Sequence, residues 1–137
     1  MLNGLNPETM DWLATRAQRT EPPAGTVVVR EGENGNRLYL IDSGLARVVK
    51  NLGRDHEVEL AMLKPGDFFG EGCILTTLPR TASVQTTCAS VLFSLSSLDF
   101  YHLYQAMPAQ YAILLLNMAR DLSRRLRVLD EKFAACH

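Results

Sequence analysis

The sequence predicts an α+β fold that is mainly β: a series of short strands with one helix before it and helices after it. Three observations carry that prediction. From Thr26 to Ser96 the chain runs in short stretches rich in Val, Leu, Ile, Tyr and Thr, each closed by turn residues. Ahead of this region, "NPETMDWLATRAQ" places apolar residues at helical spacing. Behind it, apolar residues recur every three or four positions almost to the end of the chain. At 137 residues the chain is long enough for one real core and too short for two, so 1–137 reads as a single domain.

The first segment, 1–20, is predicted as an N-terminal helix, with Asn6 as N-cap and Pro7 at the first helical position. Met10, Leu13, Ala14 and Ala17 follow on one face, and "PPAG" (Pro22 to Gly25) stops the helix. Within 26–96 the strand-like stretches are "TVVVR", "RLYLIDSG", "LARVVK", "EVELAML", "KPGDFF", "ASVQTTC" and "SVLFSLS". Gly32, Gly35, Gly44, Gly53 and Gly66 punctuate them and read as turn positions with positive φ. This texture fits a β-sandwich, roll or barrel. In 97–134 the chain turns helical: Ser96 with Asp99 three residues on resembles a capping box, and Pro108 restarts a helix. Leu115, Met118, Leu122, Leu126, Leu129 and Phe133 then mark one amphipathic helix of about 25 residues.

Composition excludes several classes. Fourteen basic side chains oppose fifteen acidic ones, a balance unsuited to a domain that grips the nucleic-acid backbone. The basic run Arg120, Arg124, Arg125 and Arg127 reads as a solvated helix face. The N-terminus lacks a signal-peptide pattern, and "YAILLLNMA" is too short to cross a bilayer. Cys73, Cys88 and Cys136 form no CxxC pair, which fits a reduced compartment, so a soluble cytoplasmic protein with no membrane contact is expected. His56, His102 and His137 are scattered, three cysteines are too few for an iron–sulfur cluster, and no nucleophile–base pair stands out. No metal, no cofactor and no catalysis are therefore expected.

One stretch carries chemistry: "FFGEGCILTTLPRTASV", 68–84. Gly66 and Gly70 permit a tight turn, and "EGCILT" fits one or two helical turns whose first N–H groups lack partners. A phosphate there would meet amides near Gly72 and Cys73, a charge-assisted bond from Arg80 and the Thr81 hydroxyl. Glu71, an acceptor-only carboxylate, would suit a sugar hydroxyl. Equally, Glu71 and Arg80 could simply pair with each other at the surface.

The same residues resemble the phosphate-binding cassette of cyclic-nucleotide-binding domains, the family of bacterial catabolite activators, kinase regulatory subunits and cyclic-nucleotide-gated channels. "FGEGCILTTLPRTASV" is similar to that family's F-G-E-x-x-x-(several)-P-R-x-A-x-V pattern. "PAGTVVVREGENGNRLYLIDSGLARV" resembles its first strands, and "LFSLSSLDFYHL" its last strand and following helix. The resemblance implies a jelly-roll-like β-roll over 26–96, with the cassette at 68–84 and cAMP or cGMP as ligand. It implies that Glu71 holds the ribose 2'-hydroxyl and Arg80 the exocyclic phosphate oxygens. Gly70, Gly72, Cys73, Thr81 and Ala82 would complete the cradle, and Leu60 and Leu63 would form an apolar wall against the base.

This chain departs from the family pattern in carrying Gly72, Cys73 and Ile74 where Leu-Ala-Leu is usual. Cys73 reads as a small buried residue. Thr81 does not separate cAMP from cGMP readers, and Leu129 and Asp130 stand where a catabolite activator offers hydroxyls to adenine. By resemblance the last helix also pairs with its twin in a homodimer, lies over the base and brings Arg125 or its neighbours to the ligand, and its movement would signal binding. Two further readings follow: the effector part of a catabolite-activator-type transcription regulator without its helix-turn-helix, or a domain that has lost its ligand and serves dimerisation or docking. The downstream protein partner is not specified by any motif.

Overall fold

The computed structural model describes residues 1–76 and 78–136, apart from the Cys136 side chain. The Cys136 thiol and His137 named above, and Thr77 of the cassette, lie outside the described residues. Helix α1 spans Pro7–Arg16, with the Asn6 side chain accepting the Thr9 N–H at its start. Seven strands, β2 to β8, follow the apolar stretches: Val27–Val29, Arg37–Ser43, Ala46–Lys50, Val58–Leu63, Phe68–Phe69, Ser83–Thr86 and Val91–Ser96. A single turn, α2 (Gly72–Leu75), interrupts them between β6 and β7. Helix α3 (Ser97–Ala106) opens with the reciprocal Ser96–Asp99 capping box, and α4 runs from Pro108 to Cys136.

The segment 1–20 is not helical to its end. Gln18–Thr20 form strand β1, paired antiparallel with Leu92–Ser94 of β8. All three of its residues are exposed, so no apolar alternation announces it; the backbone pairing alone makes it a strand.

Two four-stranded antiparallel sheets result, in the orders β1-β8-β3-β6 and β2-β7-β4-β5. Strand β6 shows why the cassette begins with two phenylalanines. Neighbouring side chains on a strand point to opposite faces. Phe69, 3% exposed, enters the core between the sheets with Val29, Ile41, Ala46, Leu63, Val84 and Leu92. Phe68, 0% exposed, enters a second core where the other face of its sheet meets Leu13 of α1, Phe100 and Leu103 of α3, and Leu114 and Met118 of α4. The cassette is thereby pinned to both cores at its first two residues, with Phe69 also stacked on Tyr39 at 5.1 Å. Burying a side chain of this size is worth about 1.5–3 kcal/mol.

Helix α4 leaves the roll part-way along its length. Leu114 and Met118 are buried, Leu115, Leu122 and Leu129 half-buried, and Leu126 and Phe133 exposed. No helix among the described residues is long and apolar enough to cross a membrane.

Candidate functional site

The turn Lys64–Asp67 aims the chain into β6: the Asp67 carboxylate accepts the Lys64 N–H at 2.9 Å, and the Asp67 carbonyl accepts from Ile41. Gly70 follows with φ +82°, where a β-carbon would stand 2.7 Å from the Arg37 carbonyl oxygen and 2.9 Å from Nη1 of Arg80. Only glycine meets both conditions. Glu71 then caps α2 with its backbone, and its side chain forms no hydrogen bond or ion pair with any described residue. The amides of Gly72 and Ala82 likewise have no partner among the described residues.

Arg80 arrives from the far end of the cassette and is fixed by its backbone. Its N–H donates to the Glu33 carbonyl at 2.9 Å, and its carbonyl accepts the Gly32 N–H at 2.8 Å. The side chain reaches between Gly35 and Gly70, where Nη2 donates to the Arg37 carbonyl at 3.1 Å. Gly35 does not have a positive φ, contrary to the turn role its sequence context suggests. What it supplies is space, because the Arg80 guanidinium occupies the position a β-carbon would take.

Glu71 and Arg80 do not pair; among the described residues neither side chain enters an ion pair. Both line one cavity of about 300 Å³, together with Gly70, Gly72, Cys73, Thr81 and Ala82 and the apolar Val29, Val48 and Val84. The volume lies at the lower bound of small-ligand sites. Arg80 has no carboxylate partner among the described residues, and Gly72 and Ala82, which line the same cavity, have amides without a hydrogen bond there. Cys73 is half-buried rather than buried; burial pushes its thiol up from the ordinary value, opposed by the charge of Arg80.

Leu60 and Leu63 do not line this cavity. They border a second one of about 540 Å³ between β5 and α4, which shares Val48, Glu71 and Arg125 with the first. Leu63 is 2% exposed and contributes mostly to the inter-sheet core. Leu129 lines the second cavity, and Asp130, exposed, does not.

Arg125 departs from the solvated-face reading of the basic run. Its guanidinium lies 4.5 Å from the Phe68 ring centroid and donates to the Phe68 carbonyl at 2.5 Å. Burial pulls its pKa down, opposed first by Glu71 and then by Asp67. Arg124, by contrast, pairs with Asp121 on its own helix. The side chains that sequence reasoning missed are those acting through shape or backbone: Gly35, Arg37, and Val29, Val48 and Val84 as cavity wall. The three valines carry no signal beyond β-branched residues in strands, which any core shares, and nothing local marks Gly35 or Arg37.

Two antiparallel sheets with a short helix between β6 and β7 form a β-roll whose cavity is lined by Glu71 and Arg80. The chain belongs to the cyclic nucleotide-binding domain family, whose model matches residues 19–107. It is 33% identical over 130 residues to the cyclic AMP receptor protein of Thermus thermophilus, covering 95% of this chain and 58% of that protein. It is 45% identical over 71 residues to the cAMP-dependent protein kinase regulatory subunit of Yarrowia lipolytica, covering 52% of this chain and 18% of that one. The chain thus spans only part of the length of these relatives. A cyclic nucleotide-binding domain from Methylobacillus flagellatus shares the fold with a TM-score of 0.90 at 23% identity, covering 100% of this chain and 77% of that one. The domain is of the regulatory type found in these receptor and kinase-regulatory relatives.

Proposed function

We propose that this chain senses a cyclic nucleotide, cAMP or cGMP, through the cavity between Glu71 and Arg80. One observation carries the reading: a half-buried guanidinium with no carboxylate partner among the described residues lines the same cavity as Glu71 and as Gly72 and Ala82, whose amides have no hydrogen-bond partner there. A cyclic phosphodiester supplies the missing charge and acceptors, and its ribose 2'-hydroxyl is the donor that the free Glu71 carboxylate lacks. Gly70, Cys73 and Thr81 complete the cradle. The base extends into the second cavity, against Leu60 and the edge of Leu63, beneath α4.

Signalling passes through α4. Arg125 ties that helix to β6 at Phe68, beside the ligand cavity. A ligand that alters the packing at Arg125 shifts α4 by its differential affinity for the two arrangements and by no more than that. The distal half of α4, where Leu126 is 61% exposed, pairs with its twin in a homodimer. Isothermal titration with cAMP and cGMP tests the reading: saturable binding of either supports it. An absence of heat and of any thermal shift with both, in a folded protein, overturns it. The second arm of that experiment ranks the two bases.

A further inference from the structure

We propose that Lys50 is a positioning residue for the phosphate site, acting on the Ala82 amide through the carbonyl of Thr81; the inference rests on the cyclic-nucleotide reading above. Lys50 is the last residue of β4, exposed, and lines neither of the two cavities. Its ammonium donates to the Thr81 carbonyl oxygen at 2.8 Å and pairs with the Glu31 carboxylate at 3.1 Å. Glu31 is itself held from two sides. Its carboxylate accepts the Asn51 N–H at 2.9 Å, and its own N–H donates to the Ser83 hydroxyl at 3.0 Å.

These contacts grip the end of the cassette on both sides of Ala82, at Thr81 through Lys50 and at Ser83 through Glu31. The consequence follows from peptide geometry. In a trans peptide the C=O and the next N–H point in opposite directions, and the chain contains no cis peptide among the described residues. A carbonyl of Thr81 held outward by Lys50 turns the N–H of Ala82 the other way, toward the cavity that Ala82 lines. That N–H has no partner among the described residues. Without the clamp, the peptide between Thr81 and Ala82 is free to rotate, and the amide must be ordered anew when the ligand binds. An exposed Lys–Glu pair contributes little to stability by itself. Its effect here is on orientation.

The test compares Lys50→Met, Lys50→Arg and Glu31→Gln with the unaltered protein, by calorimetric titration with whichever of cAMP and cGMP binds better. The same variants are titrated with the two phosphorothioate diastereomers of that nucleotide, in which sulfur replaces one or the other exocyclic oxygen. Lys50→Met is expected to weaken binding about tenfold, the scale of one hydrogen bond to a charged group. Glu31→Gln is expected to lose less, and Lys50→Arg to recover most of the affinity. The Lys50→Met loss should shrink for the diastereomer whose sulfur faces Ala82 and persist for the other, the non-additivity that marks a shared interaction. Equal losses for both diastereomers, or no loss, overturn the inference while leaving the cyclic-nucleotide reading intact. Failure of the unaltered protein to bind either nucleotide overturns both.

Discussion

The guanidinium of Arg80 fills the space beside Gly35 that a β-carbon would need, and the Arg37 carbonyl holds it there. The loop between β2 and β3 thus shapes the cavity at Arg80 through Gly35, a residue with no side chain. Arg80 is presented to the cavity because the residue behind it has no side chain.

Gly35→Ala should therefore displace the guanidinium and weaken cyclic-nucleotide binding about tenfold, the loss of a well-placed charged hydrogen bond. Since Gly35 does not adopt a positive φ, the backbone accepts alanine and the urea midpoint should barely move. Unchanged affinity by titration calorimetry would show that Arg80 finds another productive rotamer.

Arg80→Ala should lower affinity by about one to two orders of magnitude. Arg80→Lys restores the charge but not the planar fork, so its affinity should fall between the two. Calorimetry on the three proteins checks the order; lysine equal to arginine would mean that charge alone matters.

Arg125→Ala removes both the hydrogen bond to the Phe68 carbonyl and the packing on its ring. The unfolding free energy in urea should drop by about 1–3 kcal/mol. Amide exchange in α4 beyond Leu122 should speed up more than exchange in α3. Uniform acceleration across both helices would instead indicate general destabilisation.

The Cys73 thiol is pushed up by burial, so the folded state favours its neutral form. The sign follows: its contribution to stability is fully present below the ordinary thiol pKa and is lost as pH rises through the raised one. With Cys88→Ser and Cys136→Ser in place, iodoacetamide should label Cys73 slowly at pH 8, and faster only above the usual thiol range. Bound nucleotide should slow it further, because Cys73 lines the cavity. A rate equal to that of free cysteine at pH 8 would contradict the burial argument.

Leu126→Asp places a charge on the exposed part of the α4 stripe. If that face joins two copies, sedimentation should show a dimer for the unaltered protein and a monomer for the variant. Unfolding of the isolated domain should be little changed. Identical sedimentation of the two proteins would remove α4 as the dimer face.

Much of the fold was legible because its causes are local. Asn6 and Pro7, Ser96 with Asp99, and Pro108 are start signals that act within one turn of helix, and each stands where its helix begins. The seven strands β2 to β8 follow runs rich in Val, Leu, Ile and Phe, and all of them except most of β5 turn apolar side chains into a core. Strand β1 was illegible because Gln18, Arg19 and Thr20 bury nothing. Helical periodicity alone places Arg125 on a solvated face with the rest of the basic run, because it treats every arginine as polar; its place over Phe68 depends on a strand far away in the chain. In the cassette, Glu71 and Arg80 were recognisable as a pair of opposite charges, but spacing could not tell a surface ion pair from two walls of a cavity.

From the sequence alone came the starts of the three long helices and the order of the strands β2 to β8, since capping and apolar runs need only near neighbours. The tertiary structure decided that the two charges stay apart around one cavity, that Phe68 and Phe69 anchor different cores, and that Gly35 and Arg37 aim the arginine. Those facts arise from contacts between residues distant in the chain, where space and backbone direction count and residue type says little.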